Sequence, residues 1–259
     1  MYSKATRAIG YLKDQKGIIN RYINEGKGWQ PHVRNCRDII LDFVHGNRFN
    51  QIVVLGSGWL IDFPAELFDT AITFHLIDVS HPNQVKHKYR KYNNVVFHEE
   101  DITGGAIQQV FEATKLFRKG KTKTSIDKIT GNGFTFDESR DAGIISLNIL
   151  NQLDILLADY LLKFRMYNEE EITRFRNNIQ EKHVKTIKGT NSLLITDCVE
   201  RVYDMEEKPI DTKSLIYTKL QSEDMIRQWD WYFDTTGNYH PGLQTIFTVK
   251  AFQFNKNNK

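Results

Sequence analysis

Short apolar runs alternate with amphipathic stretches along most of this chain. Segments near 51–56, 72–78, 94–99, 141–148 and 191–199 are rich in β-branched and aromatic residues, which predicts strands. Between them the period changes to that of a helix. Val33, Cys36, Ile40 and Val44 recur at helical spacing behind Pro31, so a helix is predicted from Pro31 to His45, with the proline in its first turn. Leu150–Phe164 places Leu153, Leu156, Leu157, Tyr160, Leu161 and Phe164 on one face. Asn168 followed by Glu169, Glu170 and Glu171 reads as an N-cap with a glutamate at its third position, and it opens a helix that Gly189 stops. In that helix Ile172, Phe175, Ile179 and Val184 are expected to face the sheet. Trp229–Phe233 and the alternating Thr245–Phe254 supply two last strands, with Tyr239–Gly242 as a turn between them. Strands alternating with helices predict right-handed crossovers and an α/β doubly wound, mostly parallel seven-stranded sheet with helices on both faces. The segment 118–140, rich in Lys, Thr and Gly, breaks the pattern and reads as a surface insertion.

Length and composition narrow the class. At 259 residues, one domain with N-terminal decoration fits better than two equal ones: a helical cap region at 1–46 and a main domain at 47–259. With 40% hydrophobic and 26% charged residues, the chain has the make-up of an ordinary globular protein. Apolar runs fall short of the ~20 residues a membrane helix needs, and the first residues lack a signal-peptide core, so a cytoplasmic location and no membrane partner are expected. Cys36 and Cys198 have no C-x-x-C partner and are expected as buried, reduced thiols, and no metal site is predicted. The net charge is only +3. Basic clusters at Lys86–Lys91 and Arg118–Lys128 lack the interleaved aromatics of a nucleic-acid surface, so a nucleic-acid partner is possible but not favoured.

The chemistry concentrates in Ile52–Asp78. An apolar strand runs into Gly56, Ser57 and Gly58, then an acidic, proline-started helix is expected, then a second strand ends on Asp78. Glycines at that turn let the backbone approach a ligand, and a carboxylate at the tip of the next strand stands where a ribose diol would offer two hydroxyls. The third strand again ends in acid, Asp101, followed by Ile102. A dinucleotide fingerprint would carry a third glycine at position 61, where Ile61 stands, and Asp62 would repel a pyrophosphate at a helix N-terminus. A cofactor without phosphates suits the turn better.

On these residues the chain resembles the class I S-adenosyl-L-methionine (SAM)-dependent methyltransferases, over roughly residues 50–200. The resemblance implies that Gly56, Ser57 and Gly58 meet the methionine part of SAM, that Asp78 with Val79 holds the ribose, and that Asp101 with Ile102 meets adenine. It also implies a final antiparallel strand inserted beside the fifth, and places Asn148, at the end of the fourth strand, beside the transferable methyl, where it would hold the SAM amino-acid tail or the acceptor. Val54 stands where the family has an acid, and Leu60 where it has a third glycine. The Asn/Asp-Pro-Pro-Tyr motif of enzymes acting on base or glutamine nitrogens is missing after the fourth strand. A small molecule or a protein side chain is therefore the expected acceptor. Trp29, His32 and Arg34, which precede the first strand, and Asn151 and Gln152, after the fourth, are the acceptor-side candidates, with His32 or His240 as a proton acceptor. A noncatalytic SAM-binding protein and, less favoured, a nicotinamide oxidoreductase stand as alternatives.

Overall fold

The computed structural model describes residues 4–136 and 142–256. Three helices come first: α1 (Lys4–Ile9), α2 (Tyr11–Asn24) and α3 (Gly26–His45). They are followed by β1 (Gln51–Leu55), β2 (Thr73–Asp78), α4 (Asn83–Tyr89), β3 (Val95–Glu99), α5 (Ala106–Arg118) and β4 (Gly143–Leu147). The chain closes with α6 (Gln152–Lys163), α7 (Glu169–Lys188), β5 (Ser192–Tyr203), β6 (Pro209–Ser214), β7 (Met225–Asp234) and β8 (Gln244–Phe254). The main sheet runs β3-β2-β1-β4-β5-β8-β7, and β6 pairs with β5. Strands β1 to β5 are mutually parallel, while β8 lies antiparallel between β5 and β7. This is the doubly wound, Rossmann-like α/β sheet that the alternation predicts, with the inserted antiparallel strand.

The sheet has eight strands rather than seven. The extra one, β6, is exposed throughout and reads PIDTKS, without the alternation that marks a half-buried strand. It exists because β5 extends beyond β4 and offers its outer residues, Val199–Tyr203, to a returning antiparallel partner.

The core has two layers. On one face Val53, Leu55, Ile77, Ile144 and Leu194 pack against α5, α6 and α7, with Ala5 and Ile9 of α1 beside them. On the other, Ile52, Val54, Phe74, Leu76 and Leu193 meet Ile39, Ile40 and Phe43 of α3 and Phe63, Leu67 and Phe68. Two expectations change here. The helix expected from Pro31 begins at Gly26 and carries the proline inside it. The helix expected after the first turn is reduced to one short 3-10 stretch, Ala65–Asp69. Helix α3 packs mainly on β7 and β5, and Phe63, Leu67 and Phe68 of the segment after β1 fill the rest of the same layer.

The 118–140 insertion is also more anchored than expected. Ile126, Ile129 and Phe134 are buried in the first layer, and the Lys182 ammonium donates to the carbonyls of Thr130 and Gly131. Its last part, 137–140, lies outside the described residues. The capping box at Asn168 forms as predicted: its side chain accepts from the Glu171 N–H while the Glu171 carboxylate accepts from the Asn168 N–H.

Gly56 fixes how β1 turns away from the sheet. Its φ is +83°, and a Cβ there would stand 2.7 Å from Ile149 Cβ and 2.8 Å from the Leu147 carbonyl oxygen. Gly58 differs, since its backbone is in an ordinary region and an added Cβ would meet Asp78 Oδ2 at 3.3 Å. Gly56→Ala is therefore expected to lose about 2–4 kcal/mol in urea denaturation, from left-handed strain plus overpacking. Gly58→Ala is expected to stay within about 1 kcal/mol of the parent chain. Equal stability of Gly56→Ala and the parent would contradict the turn described.

Candidate cofactor and acceptor site

A cavity of about 1050 Å³, its open mouth included, lies along the carboxyl ends of the strands, where open α/β sheets bind ligands. The sheet order sets its layout. Asp101 and Ile102 follow β3, Asp78 and Val79 end β2, Gly56, Ser57 and Gly58 follow β1, Asn148 follows β4, and Trp231 of β7 closes the far end. Helix α2 supplies a wall with Tyr11, Asp14, Gln15 and Ile18, and α3 supplies Trp29, His32 and Val33.

In the β3-to-β1 half, Asp78 is the fixed point. Its Oδ2 accepts the Gly58 N–H at 2.9 Å and its Oδ1 accepts the Ser80 N–H at 3.4 Å. Burial pushes its carboxyl up to about 6, against the downward pull of those backbone N–H groups. The turn is held from a second side by Ser57 Oγ, 2.8 Å from His81 Nε2. Burial drives that imidazole down to about 4, so it is neutral near pH 7. Asp101 shapes its own loop: Oδ1 accepts from the Thr103 N–H and hydroxyl, and Oδ2 from the Gly105 N–H at the start of α5. Helix α2 is tied over this half by the Gln15 amide, which donates to the Ser80 carbonyl at 2.7 Å, and by Trp59 Nε1, which donates to the Gln15 carbonyl at 2.9 Å. Burial, then the nearby Asp101, raises the Tyr11 hydroxyl well above its ordinary range.

The β4-to-β7 half is built around His32. Its ring lies flat on Trp231, with centroids 3.8 Å apart, and is almost wholly buried, which lowers its pKa. Trp229 Nε1 sits 3.2 Å from His32 Nδ1. An indole nitrogen only donates, so Nδ1 must accept and the proton of the neutral ring is on Nε2. Nε2 faces Cys36 Sγ at 3.6 Å and Asp62 Oδ2 at 3.9 Å. Asn148, with φ +48°, reaches in from β4 and donates Nδ2 to Asp62 Oδ2. With Nε2 protonated, that amide, 3.3 Å away, is a neighbour of His32 rather than its hydrogen-bond partner.

His32, Cys36 and Asp62 place one potential ligand atom each within 4.8 Å of the others, a spacing that could hold a metal ion and that the sequence did not suggest. A metal on Nε2 would need the proton on Nδ1, where the Trp229 N–H already points. The Asn148 amide links two of the three instead, donating to Asp62 Oδ2 and lying 3.8 Å from Cys36 Sγ. Burial also raises the Cys36 thiol well above its ordinary range, so it is not a thiolate near neutral pH.

The sequence candidates divide. Gly56, Ser57, Gly58, Asp78, Val79, Asp101, Ile102, Asn148, Trp29, His32 and Gln152 all line the cavity. Arg34 does not: it faces a shallow outer depression with Arg37 and Asp38. His240 does not line it either, and its Nε2 is 2.9 Å from Glu200 Oε1. Asn151 lies behind the wall and donates to Asp197 Oδ2 at 2.6 Å, where burial pushes the carboxyl up to about 6. Asn148 is not the cap of α6, since its side chain points to Asp62. Tyr11, Asp14 and Ile18 were missed, although their spacing is that of one helix face. Among the described residues the lining holds four carboxylates, Asp14, Asp62, Asp78 and Asp101, and no lysine or arginine.

No family model and no curated protein matches this sequence. Among solved structures, the chain is similar to the 1,6-didemethyltoxoflavin-N1-methyltransferase of Burkholderia thailandensis, crystallised with 1,6-didemethyltoxoflavin and S-adenosylhomocysteine. The identity is 10% and the TM-score 0.41, over 92% of this chain and 86% of that one. It is also similar to a structure titled for the conversion of a disulfide bond into a thioacetal group during echinomycin biosynthesis, at 9% identity and a TM-score of 0.32, over 85% of this chain and 82% of that one.

Proposed function

We propose that this chain binds SAM and transfers its methyl group to a small molecule. The observation that carries this reading is the charge of the cavity: four aspartates without a lysine or arginine, at the edge where the sheet binds ligands. Such a lining disfavours the pyrophosphate of a nicotinamide cofactor and favours a cation. Bound SAM supplies a methyl group activated by a sulfonium cation. The residues fit it. Asp78 offers a carboxylate to the ribose hydroxyls, the Gly56–Gly58 backbone leaves room for the methionine part, and Asp101 with Ile102 takes the adenine end. Helix α2, fastened through Gln15 and Trp59, excludes water from above. Alignment of the acceptor in a dry site then does most of the catalytic work. His240 has no part in it, and His32, with Nδ1 occupied by Trp229, serves as a hydrogen-bond donor rather than a base. Turnover of SAM to S-adenosylhomocysteine with an acceptor separates an enzyme from a binding protein of the same fold.

Isothermal titration is expected to show binding of S-adenosylhomocysteine and none of NADH. Asp78→Ala is expected to weaken S-adenosylhomocysteine roughly 10- to 100-fold through lost charge-assisted hydrogen bonds. Undiminished affinity would contradict the ribose assignment.

The pH dependence follows from the raised carboxyl of Asp78. Only its ionised form accepts both hydroxyls, so the ligand favours deprotonation. Affinity is expected to be level above about pH 6 and to fall as pH drops through that value, approaching about tenfold per unit. Asp78→Asn is expected to remove that slope. A slope that survives in Asp78→Asn would assign the titration to another group.

A further inference from the structure

The β4-to-β7 half of the cavity lies beyond the residues assigned to ribose and adenine, and its chemistry is specific. Asp62 reaches into it with its side chain about a fifth exposed. Asn148 holds Oδ2, while Oδ1 takes no hydrogen bond among the described residues. The walls around it are flat: Trp29 and Trp231, with the His32 ring stacked on the latter.

We propose that this half holds the methyl acceptor, and that the acceptor is an uncharged or cationic, ring-containing nitrogen compound that gives an N–H to Asp62. The proposal rests on the methyltransferase reading. An anionic acceptor would set like charge against a carboxylate with no cation lining the cavity to offset it, whereas an ammonium or a neutral N–H meets an acceptor in place. Trp29 and Trp231, stacked on Phe233 and His32, give this half an apolar wall against which a ring packs.

The available base decides between nitrogen and oxygen. His32 Nδ1 is taken by Trp229, which leaves a carboxylate. Carboxylates are several pKa units too weak to ionise a phenol or an alcohol. A neutral nitrogen needs no ionisation, since it already has a lone pair, so in a cationic acceptor the charge sits on an atom other than the nitrogen that is methylated. That pair forms the new N–C bond as the C–S bond breaks with its electrons on sulfur. The nitrogen then carries the positive charge beside the Asp62 carboxylate, and its proton is lost to water once the product is released.

The test uses three probes with one ring and different charge, tryptamine, indole and indole-3-acetate, titrated into the full chain saturated with S-adenosylhomocysteine. Tryptamine is expected to bind at least roughly tenfold more tightly than indole-3-acetate, with indole between them. Asp62→Asn is expected to reduce that preference to below about threefold, and Asp62→Glu to retain it. Indole-3-acetate binding as tightly as tryptamine would overturn the proposal, and so would a folded chain that binds none of the three at millimolar concentration. Asp62→Asn that weakens S-adenosylhomocysteine but leaves the preference intact would also overturn it, by assigning Asp62 to the cofactor's amino-acid tail. If S-adenosylhomocysteine itself does not bind, the methyltransferase reading fails. The same probe series on the chain alone then decides whether this half selects cations.

Discussion

The Asp78 carboxylate, bound to the Gly58 N–H across the top of the first two strands, is the constraint around which this site is organised. It joins the end of β2 to the turn after β1 and fixes the floor of the cavity. A buried carboxylate held by neutral N–H groups is only partly compensated, which is why its carboxyl rises to about 6. A ligand that brings hydroxyls to its free lone pairs completes the compensation. In this account the protein keeps an unfinished set of hydrogen bonds at the centre of its sheet edge, and the ligand completes it.

The same logic extends along the cavity. Asp101 is held through both oxygens by its own loop, while Asp62 is held at Oδ2 by Asn148 and takes no hydrogen bond at Oδ1 among the described residues. Histidines nearby are kept neutral. Burial lowers His81 and His32, and their ring nitrogens are engaged by Ser57 and by Trp229. The result is a negative cavity whose sign does not depend on solvent counter-charges at its walls, suited to a cationic occupant. Two helices that a strand-by-strand view would treat as peripheral complete it. Helix α3 brings Trp29 and His32 against β7, and α2 closes the opening above Asp78 and Asp101.

How much of this the sequence shows depends on the range of the interaction. Local patterns were readable. The glycine turn, the acids ending β2 and β3, the capping box at Asn168 and the alternation of β8 each occupy a few consecutive residues, and each is in place. What failed was non-local. β6 carries no hydrophobic signal because it is created by the overhang of β5. The long start of α3 was hidden by Pro31, which in sequence marks a helix beginning but here stands inside one. At the site, Arg34 was judged by its neighbours in sequence, and the partner of Asn148 was not visible there. Arg34 turns outward one helical position from Val33, which lines the cavity, and Asn148 reaches across to Asp62, a contact between residues far apart in the chain. The role of Trp229 could not be seen from sequence at all, since it depends on which nitrogen of His32 its N–H meets.

The most direct test of the central claim is a crystal structure of the chain with S-adenosylhomocysteine. Both ribose hydroxyls within about 3 Å of the Asp78 carboxylate, with the homocysteine portion over Gly56–Gly58 and α2 closed above it, is the result this account requires. A ligand bound elsewhere, or bound here with its ribose away from Asp78, would contradict it.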